Sequence, residues 1–179
     1  MTSHALAIAA VLVLAICFTA LTACTTSTQP PEAFLRLHGT TPFSTQHFTV
    51  CSFFDCEETT SVRLSNADWM QIDNIFSPRE NDSKEERKRI ARAVAQFEKM
   101  VAVKAGTGDD QPRQQGGFRG TRQLDCVAET TNTTTYLILL QERGLLQWHA
   151  PRYPQHRGLM RGQFPHNTAI VEDLETGEQ

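Results

Sequence analysis

An apolar run from Ala5 to about Ala20 opens the chain, and short patterned segments separated by polar stretches follow it. In FSTQHFTVCSFFDCEETTSVRL, from Phe43 to Leu64, Phe48, Val50 and Ser52 alternate with Thr49 and Cys51, and TTSVRL is rich in β-branched residues. A period of two with such residues predicts two short strands, a hairpin with the cysteine loop between them. The period then lengthens. Trp69, Ile72 and Phe76 fall at helical spacing behind Ser65, which can cap a helix, and Pro78 ends the segment. A longer helix is predicted from Ser83, with Glu86 three residues on as a capping box. Its apolar stripe is Ile90, Val94, Phe97 and Val101, and Gly106 is a natural C-cap. Its charged residues read as a solvated face, so the helix is expected to be scaffold.

GTGDDQPRQQGGFRGTRQ, Gly106 to Gln123, holds five glycines and reads as a loop without a phosphate-loop pattern. A second main helix is predicted from Asp125 or Cys126 to Arg143, closed by Gly144. Its ETTNTTTYL segment favours a strand or turn by propensity. Val127, Thr130, Thr134, Leu137 and Gln141 nevertheless step at helical spacing. Beyond Gly144 the chain reads as extended, broken by Pro151 and Pro154, and FPHNTAIV, Phe164 to Val171, as a strand. DLETGEQ reads as a turn opening toward a next strand. The pattern predicts an α+β fold, a small antiparallel sheet packed against two main helices, in a single domain over 42–179.

Composition changes the picture in two places. The 179 residues carry 17 basic and 20 acidic side chains, a formal net charge of −3 with no basic stripe, which argues against a nucleic-acid partner. Mean hydropathy is −0.36 despite the apolar start, so the rest is polar and loop-rich. That start has the size of an export signal, with small residues ahead of Cys24. Leu21-Thr22-Ala23-Cys24 resembles a bacterial lipobox. The resemblance implies a signal peptide over 1–23, cleavage before Cys24 and acyl chains on it, enough chains for stable anchoring. Residues 24–41, beginning TTSTQPPE after the cysteine, then read as a polar tether. Thr25 after the lipidated cysteine implies the outer membrane, facing the periplasm, with the inner membrane as the alternative. The n-region has no Lys or Arg, and an uncleaved membrane anchor is the competing reading, because the apolar run is near the ~20 residues that span a bilayer.

Of the five cysteines, Cys17 leaves with the signal and Cys24 takes lipid. Cys51 and Cys56 remain with Cys126, in an oxidising compartment. Cys51 and Cys56, four residues apart, suit a small-loop disulfide; half a zinc site is the alternative, although no second ligand pair follows. Cys126 is then an unpaired thiol, a candidate reactive group, unless it pairs with one of the others or is buried as a small apolar residue.

A cysteine at a helix start followed by a histidine opening a strand is a favourable order for thiol chemistry. The helix N-terminus accommodates a thiolate, and a neighbouring imidazole can pair with it and protonate a leaving group. The segments DCVAETTNTTTYL and PHNTAIV resemble the papain-like/transglutaminase-like thiol fold. They also resemble a family of proteobacterial lipoproteins carrying DC-x-x-E-x-x-NT and PH-x-TA. The thiol-fold resemblance implies Cys126 as nucleophile and His166 as general base, with Asp125 matching the acid that often precedes the nucleophile. It also implies an acid on the strand after the histidine. Asp173, the one aspartate after His166, lies an odd seven residues on and would face away in a regular strand, so the expectation is that either another residue orients His166 or the last strands of such a fold are missing. Glu129 and Asn132 share a helix side near Cys126 and either line the same cleft or bond the glycine-rich loop. His149, His156 and His166 match no zinc spacing, so no metal or other cofactor is expected. Trp148 and Tyr153 read as core packing before an aromatic ligand rim.

The sequence therefore predicts an exported, membrane-anchored lipoprotein with a Cys–His acyl-transfer site: a thiol peptidase, amidase or transglutaminase-like enzyme acting on a peptide or a peptidoglycan-linked substrate. The rival from another class is a non-catalytic structural or partner-binding lipoprotein in which Cys126 is buried or oxidised.

Overall fold

The computed structural model describes residues 29–79, 81–108, 124–157 and 166–179. The expected signal peptide, Cys24 and most of the glycine-rich loop lie outside the described residues. In chain order the elements are α1 (Pro31–Leu37), β1 (Pro42–Ser44), β2 (His47–Ser52), a 3-10 turn (Phe54–Cys56), β3 (Glu58–Arg63), α2 (Asn66–Ile75), α3 (Ser83–Ala105), α4 (Cys126–Glu142), β4 (His149–Arg157) and β5 (His166–Asp173). The fold is α+β, with two antiparallel sheets where one was expected: β1-β2-β3 and β4-β5. Helix α4 touches both sheets as well as α1 and α3. Among the described residues no helix is long and apolar enough to cross a membrane.

The β2–β3 hairpin forms with Val50 opposite Thr60 and Phe48 opposite Val62. Its inward residues Phe48, Val50 and Val62 are buried. Ser65 caps α2 and Asp68 returns the bond to the Ser65 N–H, a full capping box. The predicted Ser83 cap moves by one residue: Asp82 caps α3, accepting from the Glu85 N–H at 2.8 Å. Asp and Ser serve equally there, so sequence does not choose between adjacent candidates. Gly106, at φ 71°, ends α3 in the left-handed conformation that glycine adopts without cost.

Helix α4 answers the puzzle of its own composition. From Thr130 to Leu140 every residue but Thr133 is buried. A helix covered on nearly all sides has no polar face to display, which blurs its period. Its threonines dispose of their hydroxyls internally: Thr131, Thr134 and Thr135 donate to the carbonyls of Val127, Thr130 and Thr131 at 2.7, 2.7 and 3.0 Å. Tyr136 stacks on Phe97 of α3 with ring centres 4.9 Å apart, and Phe97 meets Trp69 of α2 edge-on at 5.5 Å. These rings centre the main core.

Two expectations change. The tether predicted to reach residue 41 contains α1, which buries Phe34 and Leu35 against Ile138 of α4, with Tyr153 edge-on to Phe34 at 5.8 Å. Seven residues do not hold a helix alone, and Pro31 at its first position only favours starting one. The tertiary contact stabilises it, and a sequence pattern cannot display that contact. The stretch around Pro151 and Pro154 forms β4, with a register irregularity between Arg152 and Gln155. In a two-stranded sheet each strand is an edge, where a missing N–H is tolerated.

Candidate functional site

The first turn of α4 is built around the disulfide loop. Cys51 and Cys56 are bonded, with Cα atoms 4.8 Å apart. Between β2 and β3 the backbone turns through Phe53, Asp55 and Cys56 at φ 63°, 55° and 57°. Non-glycine residues adopt this region reluctantly. Asp125 caps α4 with one carboxylate oxygen on the Ala128 N–H, and its other oxygen accepts from the Asp55 N–H, both at 2.9 Å. One turn further, buried Asn132 accepts from the Cys51 N–H at 2.7 Å and donates to the Cys51 carbonyl at 3.0 Å. Ala128 and Leu124 pack on the two half-cystines.

Cys126 begins α4 as a free, half-buried thiol outside that apolar cluster. Of its supporting candidates, Asp125 and Asn132 both serve the disulfide loop, and Asn132 bonds this loop rather than the glycine-rich one. Glu129 is exposed on the first turn. His166 opens β5, exposed, across from Arg157. Asp173, at the far end of β5, pairs with His149, which follows α4 by a few residues. Strand β5, which His166 opens, packs on α4, which Cys126 begins. No hydrogen bond joins the two among the described residues.

The other end holds a cluster that the sequence reading missed. Glu86 is buried on α3 and accepts from the N–H groups of Gln147, Trp148 and His149 at 2.8, 2.9 and 3.0 Å. It also meets His149 Nδ1 at 3.0 Å. His149 is fully enclosed, and its Nε2 has no hydrogen-bond partner among the described residues. Asp173 lies beside them. The Ser83 hydroxyl, then the N–H groups of Thr176 and Glu175 and the nearby His149, hold its carboxyl down at about 2 against the opposing effect of burial. Arg87 approaches it at 3.7 Å. Asp173 is thus committed to this end of β5, as its odd separation from His166 suggested. A signal for Glu86 did exist: it stands four residues before Ile90, in line with Ala93, Phe97 and Val101, on the stripe that faces the core.

The remaining histidine candidate, His156, bonds Asn167 across β4–β5 at 2.8 Å. Among the described residues no group of three or more His, Cys, Asp or Glu is placed to hold a metal ion. Tyr153 packs in the satellite core, and Trp148 gives its N–H to Glu86. No family model, curated protein or solved structure matches the chain.

Proposed function

We propose that this chain is an exported protein held to a membrane by lipid on Cys24, and that its domain carries a thiol group-transfer site. Cys126 is the nucleophile and His166 the base. The observation that supports this reading is the position of Cys126: the one thiol left among the described residues when Cys51 and Cys56 bond, half-exposed at a helix N-terminus, with His166 opening a later strand of the sheet that packs on that helix. That order resembles the papain-like/transglutaminase-like outline.

The chemistry follows from the two groups. The thiolate attacks an acyl carbonyl, and His166 protonates the departing amine. The acyl group stays on sulfur as a thioester until water or a second amine takes it. Peptides and amides are the substrate class, and a peptidoglycan cross-peptide is within reach of a protein anchored in the outer membrane. The inner membrane is the alternative anchor.

Alkylation of the full chain in detergent, from pH 4 to 9 with peptide mapping, tests the site. A thiolate–imidazolium pair makes Cys126 label fast well below the ~8.5 of an ordinary thiol, and His166→Ala removes that rapid labelling. Labelling that follows an ordinary thiol profile in both proteins contradicts it. The anchor is tested separately: globomycin that leaves the precursor's processing unchanged removes the lipoprotein assignment.

A second reading rests on a different observation. Asp125 and Asn132, two of the three residues expected to support Cys126, are both occupied in fixing the disulfide loop. That favours a non-catalytic, partner-binding or structural lipoprotein. Labelling of Cys126 only after unfolding would establish it.

A further inference from the structure

We propose that the Cys51–Cys56 disulfide is a redox-sensitive clasp on the Cys126 end of α4, and that its reduction by a dithiol frees the turn that covers this end. The inference is independent of whether Cys126 catalyses anything.

Three observations converge on it. The loop that the disulfide closes holds Phe53, Asp55 and Cys56 at positive φ, a backbone that persists only where its surroundings over-determine it. The same loop reaches α4 through the Asp55 N–H, bonded to the capping carboxylate of Asp125. The two half-cystines themselves are packed under Leu124 and Ala128, on either side of Cys126 in the chain. Asn132 anchors the Cys51 backbone from within the helix, so the strand side of the loop stays fixed while the turn is the part able to move. Phe54 and Asp55 are exposed, so the middle of the turn is open to solvent, and Cys56 is its buried end.

The chemical step is ordinary exchange. A thiolate of the dithiol attacks one sulfur, a mixed disulfide forms and the Cys51–Cys56 bond breaks. The second thiol of the reductant then closes its own disulfide. Two electrons and two protons end on Cys51 and Cys56 as thiols. With the bond gone, the turn leaves its positive-φ conformation, the Asp55 N–H leaves Asp125, and the first turn of α4 frays around Cys126.

The test compares the oxidised full chain in detergent, the same chain treated with dithiothreitol, and the double variant Cys51→Ser/Cys56→Ser. Cys126 alkylation is read by peptide mapping, and amide hydrogen exchange is read at Asp55. The clasp predicts Cys126 labelling about tenfold faster or more in both opened forms, with fast exchange at Asp55 and a helical circular dichroism signal reduced by no more than about one turn of helix. Asp125→Ala, which removes the other half of the contact, accelerates labelling in the oxidised chain. Equal labelling rates in opened and closed forms overturn the proposal. So does global unfolding of the double variant, which makes the disulfide a staple of the whole fold.

Discussion

Asn132 ties the middle of α4 to the backbone of the disulfide loop. It satisfies both the N–H and the carbonyl of Cys51, and all three groups are buried. Asn132→Ala leaves a buried donor and a buried acceptor without partners, so a loss of about 2–4 kcal/mol is expected. A urea midpoint that falls with an unchanged slope checks this. Asp173 gives a pH dependence. Its folded value, about 2, lies below the ~3.9 of a free aspartate, so its contribution is complete above about pH 4 and disappears as pH falls toward 2. Asp68, bonded by the Ser65 N–H, shifts in the same direction and adds to the same acid loss. Urea midpoints between pH 2 and 5 should fall less steeply in Asp173→Asn than in the parent chain; parallel curves would contradict the assignment.

At the scale of elements, Glu86 joins α3 to the start of β4. Three backbone N–H groups and a buried imidazole depend on one carboxylate. Glu86→Ala should cost about 3–5 kcal/mol, because it strands those donors where water does not replace the acceptor. Glu86→Gln keeps an acceptor oxygen and should cost less. Equal losses for the two would mean that packing, and not hydrogen bonding, holds the junction. The hairpin, α2 and α3 were legible from periodicity because each exposes one polar side and buries another. Helix α4 was legible from the helical spacing of Val127, Thr130, Thr134, Leu137 and Gln141 and from its end before Gly144, although burial on nearly all sides weakens the contrast that periodicity reads. The capping position of α3 slipped by one because Asp82 and Ser83 are chemically equivalent caps.

The whole molecule is organised around α4, and α1 is the element that only this organisation explains. Leu35 is completely buried against Ile138 in the satellite core. Leu35→Ala should cost about 2–5 kcal/mol in global stability, as at any enclosed leucine site. A loss below about 1 kcal/mol, within the range of exposed positions, would restore the picture of a loose tether. The disulfide acts at the same scale. Closing six residues restricts the unfolded chain by about 2 kcal/mol, so reduction should lower the thermal midpoint by that equivalent, as calorimetry would read.

By itself the sequence determined the α+β class, the hairpin with its Cys51–Cys56 bond, and the helices that begin at Asn66, near Ser83 and at Cys126. Each depends on local period, capping chemistry or spacing within a few residues. The tertiary structure decided the rest. It split the strands into two sheets, because pairing is a choice among distant partners that one strand's pattern does not encode. It folded α1 out of an apparent linker through contacts made about a hundred residues away. It gave Asp125 and Asn132 their work on the disulfide loop, and it turned Glu86 from a surface charge into a buried acceptor. Burial and hydrogen-bond partnership belong to the assembled chain, and no stretch of sequence carries them alone.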